Sequence, residues 1–247
     1  MTHFGDNLYL GNAVGTPSGS EGEKSGFGIG PLGRMYLWDV VPLALGAANI
    51  AASQTPTGAA NLVLTASGNT TRVFNGRGES VIQFDVPRAV SIFLPAGGTP
   101  RAYTFTGYDL YGQKMSEVIT SVANATTNGK KAFFQILTIA GAGATAQPIT
   151  VGTTDILGIP VRVNDKGYFI AIHWAGAQAV DASTTVVADT TNPATTATGD
   201  VRGTLVPSSA TDGAKRLIVA IGTPASAAGI SATLAGAYGV TQNLGTT

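Results

Sequence analysis

Short runs of alternating or wholly apolar residues, each closed by Gly, Pro, Asn or Asp, recur steadily from Asn61 onward. About a dozen such runs, with no 10–15-residue amphipathic helices between them, argue against a parallel α/β sheet. They point to an all-β fold: an antiparallel β-sandwich, jelly-roll-like domain or barrel. A chain of 247 residues is long enough to bury a core of that kind.

The run Ala102–Ser121 carries this expectation furthest. Tyr103 and Phe105 alternate with Thr104 and Thr106, and Asp109-Leu110-Tyr111-Gly112 follows. Asp at the first turn position bonds its own backbone ahead, and Gly at the fourth tolerates φ > 0. A three-residue hairpin loop results. It sets Asp109 opposite Gln113, Tyr103 opposite Ile119 and Thr104 opposite Val118. The same turn logic reads Ile159–Trp174 as a second hairpin, IPVRV turning through Asn164–Gly167 into YFIAIHW.

The other runs are shorter statements. Met35–Val41 is strand-like, and alanine-rich Leu43–Ser53 favours a short helix, weakened by Gly46. Strands are expected at Leu62–Ala66 and Thr71–Phe74, around a Gly68-Asn69 turn. Ser80–Val86 alternates and is interrupted by Pro87, and Val90–Leu94 follows. Asn124–Lys131 reads as a polar loop, Ala132–Ile139 as a buried strand and Thr184–Ala188 as a short strand. Arg202–Asp212 reads as irregular, with Lys215–Ile221 and Ile230–Tyr238 as the last strands. Residues 1–34 are glycine-rich without periodicity and read as an extended arm. The domain division that follows is an arm and lead-in over 1–55 and a β body over 56–247.

Few residues offer chemistry. Only 11% are charged, and 14 basic residues balance 14 acidic ones, so no field favours nucleic acid or an anionic membrane. A surface with so few charges is either covered in part by partner subunits or made of Thr, Ser, Asn and Gly, which the sequence also supplies. There is no cysteine, hence no disulfide or thiolate. The N-terminus lacks a basic region followed by an apolar run, which argues against a signal peptide. Gly28–Gly33 formally matches G-x-G-x-x-G, but Pro31 lies inside it and no strand precedes it. His173 sits in a strand-like run without a nucleophile elbow. Asp109, Asp155, Asp165, Asp200 and Asp212 lie beside turn glycines or in loops, where turn chemistry accounts for them. Lys130-Lys131 and Lys215-Arg216 flank strand starts, where solvated charge discourages edge pairing. No catalytic residue, cofactor, metal ligand or small-molecule substrate is expected. The apolar hairpin tip, Tyr108, Leu110 and Tyr111, is the candidate partner contact.

Three phrases resemble virion structural proteins of tailed bacteriophages: Thr106–Thr120 (TGYDLYGQKMSEVIT), Val151–Val163 (VGTTDILGIPVRV) and Asp200–Ile221 (DVRGTLVPSSATDGAKRLIVAI). Together they cover about a fifth of the chain. The resemblance implies a non-enzymatic head component, a decoration or cement protein built mainly of β-structure and often trimeric. Its expected partners are the major capsid protein and copies of itself, in a capsid assembled in the host cytoplasm. A tail or fibre component is the alternative, binding a receptor or glycan in a groove lined by Tyr108, Tyr111 and Trp174.

Overall fold

The computed structural model describes residues 8–9, 34–223 and 239–242. In chain order the strands are β1 (Leu8–Tyr9), β2 (Arg34–Val40), β3 (Ala51–Gln54), β4 (Ala60–Asn61), β5 (Thr70–Phe74), β6 (Ser80–Leu94), β7 (Ala102–Tyr108) and β8 (Lys114–Thr120). They continue as β9 (Ala125–Asn128), β10 (Phe133–Gly141), β11 (Ile149–Gly158), β12 (Phe169–Trp174), β13 (Thr184–Val187), β14 (Gly203–Val206) and β15 (Leu217–Thr223). A single 3-10 turn, Lys166–Tyr168, accompanies them among the described residues. The protein is all-β, with antiparallel sheets in a sandwich or jelly-roll-like arrangement. The expected arm, the Gly28–Gly33 motif and the expected strand Ile230–Tyr238 lie outside the described residues, save Leu8–Tyr9, whose backbone pairs with β2.

The larger sheet runs β13-β14-β11-β6-β10-β7-β8, with β3, β4, β5 and β9 added at its sides. Its spine is β6, 15 residues long. The first half of β6 pairs with β5 and the second half with β9 and β11. Pro87 does not end this strand. The β6–β10 register shifts between Phe133↔Arg88 and Gln135↔Gln83, so the residues around Pro87 bulge out of the ladder. A residue lacking an N–H is tolerated at a bulge because no ladder bond is asked of it. The core has two buried clusters, and both halves of β6 contribute to the first. One cluster gathers Phe84, Ile92, Tyr103, Phe105, Met115, Phe133 and Ile136. The other gathers Trp38, Leu157, Ile172, Trp174, Leu205 and Val219 beneath the smaller sheet, whose order is β1-β2-β15-β12.

The first hairpin forms as expected, with Tyr103↔Ile119 and Thr104↔Val118 in register. Asp109 N–H donates to the Gln113 carbonyl at 3.0 Å, and Gly112 adopts φ 73°. The second hairpin does not form. Asp165 caps the 3-10 turn by accepting from Gly167 N–H at 2.8 Å. The segment after it, β12, pairs with β15 instead. Ile159, Val161 and Val163 are all buried, and this segment exchanges backbone bonds with Ala188, Arg202 and Gly203. Burying three aliphatic side chains outweighs a local turn preference worth a fraction of that.

Other expectations are also corrected. Leu43–Ser53 is not helical: a turn leads into β3, and Ile50 and Ala51 are buried in the core. Leu62–Ala66 is irregular, although Leu62 and Leu64 pack on the core. The polar loop contains β9, and the irregular stretch after Arg202 contains β14. Both are short and threonine-containing; β9 pairs with the end of β6, and β14 is held between β11 and β13. Lys131 is not a solvated charge at a strand start but fully buried.

A stapled hairpin tip as candidate interaction surface

The β7–β8 turn brings Asp109 inward. Its Oδ1 accepts from Tyr111 N–H at 2.9 Å and Gln113 N–H at 2.8 Å, which closes the turn. Its Oδ2 accepts from Arg202 Nη1 at 2.9 Å and from Gln242 Nε2 at 3.1 Å. Turn chemistry therefore accounts for only half of this carboxylate. The other half clamps the hairpin to the approach of β14 and to the C-terminal segment. Arg202 also lies over the Tyr111 ring, 5.3 Å from its centroid, and Tyr111 hydroxyl donates to the Pro160 carbonyl at 2.6 Å.

The three tip residues are placed unequally. Tyr108 is buried, and its hydroxyl donates to Glu79 Oε2 at 2.5 Å. Burial first, and this bond second, push the phenol above its ordinary range. The same bond, with one from Asn75, holds the Glu79 carboxyl below its own. Leu110 is half-buried, and Tyr111 is 44% exposed. Beside them lies an open groove of about 430 Å³, lined by Asn75, Arg77, Tyr108, Leu110, Phe134 and Gln135 among others. Arg77 forms one wall, with its guanidinium 4.8 Å from the Tyr108 centroid and Nη2 donating to the Gly112 carbonyl at 3.2 Å. Trp174 is not part of this groove: it is buried in the second core, where Nε1 donates to Ser209 Oγ at 2.9 Å.

No family model matches the chain, and neither a characterised protein nor a solved structure is significantly similar to it.

The remaining candidates are engaged structurally. Asp200, which is buried, accepts from Ala132, Arg202 and Gly203 N–H groups. Asp212 caps the turn into β15 by accepting from Ala214 and Lys215 N–H. Asp155 departs from turn chemistry: it accepts from the Thr211 hydroxyl at 2.6 Å and faces Arg88 at 3.7 Å. His173 Nδ1 lies 3.2 Å from the Ala177 carbonyl. Among the described residues no three His, Asp or Glu side chains gather as a metal site.

Two buried charge centres escaped the sequence reading. Arg88 has no exposed surface and grips Asp85 with Nε at 2.9 Å and Nη2 at 2.7 Å. It also donates to the carbonyls of Thr154 and Leu43, joining β6, β11 and the segment after β2. Glu117 faces inward from β8 and accepts from Lys130 N–H at 2.6 Å, while Lys131 Nζ donates to the Thr195 carbonyl at 2.6 Å. Burial dominates the Glu117 environment and raises its carboxyl to about 7, against the lowering effect of those N–H groups. The hairpin register contained the signal. It sets Glu117 opposite Phe105, in the inward row of Met115 and Ile119.

Proposed function

We propose that this protein is a non-enzymatic structural virion component that binds the capsid shell and stabilises it by clamping neighbouring subunits. The observation that carries the reading is how its buried charges are used. Arg88, Asp109 with Arg202, Asp200, and Lys131 each tie a loop or segment to a sheet, through ion pairs or backbone bonds. Such ties hold surface loops in fixed positions, which suits a part that bears load rather than one that turns over substrate. The three phage-like phrases point the same way, and the major capsid protein is the proposed partner. Leu110 and Tyr111 at the stapled tip are the proposed contact, with Tyr108 supporting them from below.

The test is addition of purified protein to shells of the encoding virus assembled without it. Co-sedimentation and a higher shell melting temperature are expected, and both should weaken in Leu110→Asp and Tyr111→Ser variants that still fold. Shells that leave the wild-type protein in the supernatant would defeat the reading.

The groove beside the tip favours a second reading, a tail or fibre component that binds a receptor or glycan. Arg77, Asn75 and Gln135 supply polar groups beside Phe134 and Tyr108. Glycan-array binding that is lost on Arg77→Ala, without shell binding, would select it.

A further inference from the structure

Asparagine followed by glycine occurs twice in the chain, at Asn75-Gly76 and Asn128-Gly129. Such a pair can cyclise, because glycine has no Cβ to keep its backbone nitrogen away from the asparagine side-chain carbonyl. The fold treats the two copies differently. Asn128 ends β9, and the glycine after it is buried, with Gly129 N–H donating to the Val90 carbonyl at 2.8 Å. The nitrogen that would attack is engaged there. Gly76 lies exposed in the turn between β5 and β6, and its N–H makes no hydrogen bond among the described residues. Nothing stands within 4 Å of the place a Cβ on Gly76 would take.

The Asn75 side chain is held and polarised. Its Oδ1 accepts from Arg77 N–H at 2.9 Å and from Glu79 N–H at 3.0 Å. Its Nδ2 donates to Glu79 Oε2 at 2.8 Å. Two donors on one side and a carboxylate on the other leave a single orientation for the amide. When a nucleophile adds to Asn75 Cγ, negative charge develops on Oδ1, where both N–H groups already point. The remaining turn bonds, Asn75 N–H to the Glu79 carbonyl at 3.0 Å and Gly78 N–H to the Asn75 carbonyl at 2.9 Å, fix the frame and leave the Gly76 nitrogen unengaged.

We propose that Asn75-Gly76 is a self-modifying site, where the chain converts its own asparagine to aspartate and isoaspartate through a cyclic imide. The Gly76 nitrogen loses its proton to solvent and bonds to Asn75 Cγ. The Cγ–Nδ2 bond breaks, and the nitrogen leaves as ammonia with a proton from water. Water then opens the ring at either carbonyl. The net change is amide plus water to carboxylate plus ammonium. The product sets a second carboxylate against Glu79, which already accepts from the Tyr108 hydroxyl. Asn75 also lines the open groove beside the hairpin tip, so the reaction adds a negative charge to that groove. Its occurrence is independent of what the groove or the tip binds.

The test is peptide mapping by mass spectrometry of the full chain, incubated at mildly alkaline pH either folded or in guanidinium chloride. In denaturant both asparagines are expected to convert at similar rates. In the folded chain Asn75 is expected to convert about tenfold faster than in denaturant, well short of the hundredfold or more that one donor supplies in a water-excluded site. Asn128 is expected to convert at least about fivefold slower when folded, since its nucleophile must first give up a hydrogen bond. Gly76→Ala leaves the fold intact, because its Cβ enters open space, and is expected to abolish conversion at position 75 over the time in which wild type is half converted. An Asn75 that reacts no faster folded than unfolded would overturn the proposal, as would an Asn128 that keeps pace with it in the folded chain.

Discussion

Arg202 and Asp109 lie 93 residues apart in sequence and form a buried ion pair at 2.9 Å. The pair joins the tip of the β7–β8 hairpin to the entrance of β14. Removing one member leaves the other charge buried, which is costlier than never having built the pair. Arg202→Met is expected to lower the free energy of unfolding by about 3 kcal/mol. Asp109→Asn combined with Arg202→Met is expected to cost less than the two single changes summed. Urea denaturation of the three variants measures this, and strict additivity would show that the pair is not coupled.

Arg88 makes a planar, two-pronged grip on Asp85 while its other nitrogen reaches Thr154. A lysine has the charge but not the fork. Arg88→Lys is therefore expected to be nearly as damaging as Arg88→Met, each by about 3–5 kcal/mol. Hydrogen exchange should show early opening where β6 and β11 meet the segment after β2. A lysine variant of native stability would mean that charge alone suffices there.

Glu117 gives stability a pH dependence of known sign. Its carboxyl titrates near 4.5 when solvated and at about 7 in the folded chain. Between those values the folded state holds a proton that the unfolded state has lost. Its contribution is fullest below about pH 4.5, falls as pH rises, and levels off above about 7. The amplitude is on the order of 3 kcal/mol. Burial lowers the titration point of Lys131, against the raising effect of Glu117, Asp200 and Asp189. Unfolding free energies between pH 4 and 8.5 should decline for the wild type and stay nearly flat for Glu117→Gln. An unchanged slope in that variant would assign the effect elsewhere.

Two glycines are needed for different reasons. A Cβ on Gly107 would lie 2.0 Å from the Gln135 carbonyl oxygen, so Gly107→Ala must push β7 off β10. Gly112 faces open space, but its φ of 73° is left-handed. Gly112→Ala is expected to cost about 1 kcal/mol and Gly112→Asn less. Gly107→Ala is expected to cost more than either, about 2 kcal/mol. Melting temperatures of the three variants should fall in that order.

The hairpin was legible because all its causes are adjacent. Asp109 closes its own turn, Gly112 supplies the backbone conformation, and alternation from Tyr103 fixes which residues oppose each other. The same register places Glu117 inward, so even its burial was within reach of the sequence. Ile159–Trp174 has a similar local pattern and a different fate. Its two halves find better partners at Arg202–Gly203 and at β15.

By itself the sequence determined the all-β class, the β7–β8 hairpin and its register, and the scarcity of reactive side chains. Turn torsions and side-chain alternation act over a few residues, and each can be read where it stands. Tertiary structure alone decided that β6 continues through Pro87, that Lys131 and Arg88 are buried, and that Trp174 belongs to the core while Leu37 faces out. These outcomes depend on which distant strands share a sheet. That choice is set by total burial and by satisfying every buried polar group, quantities that belong to the assembled fold rather than to any one stretch of it.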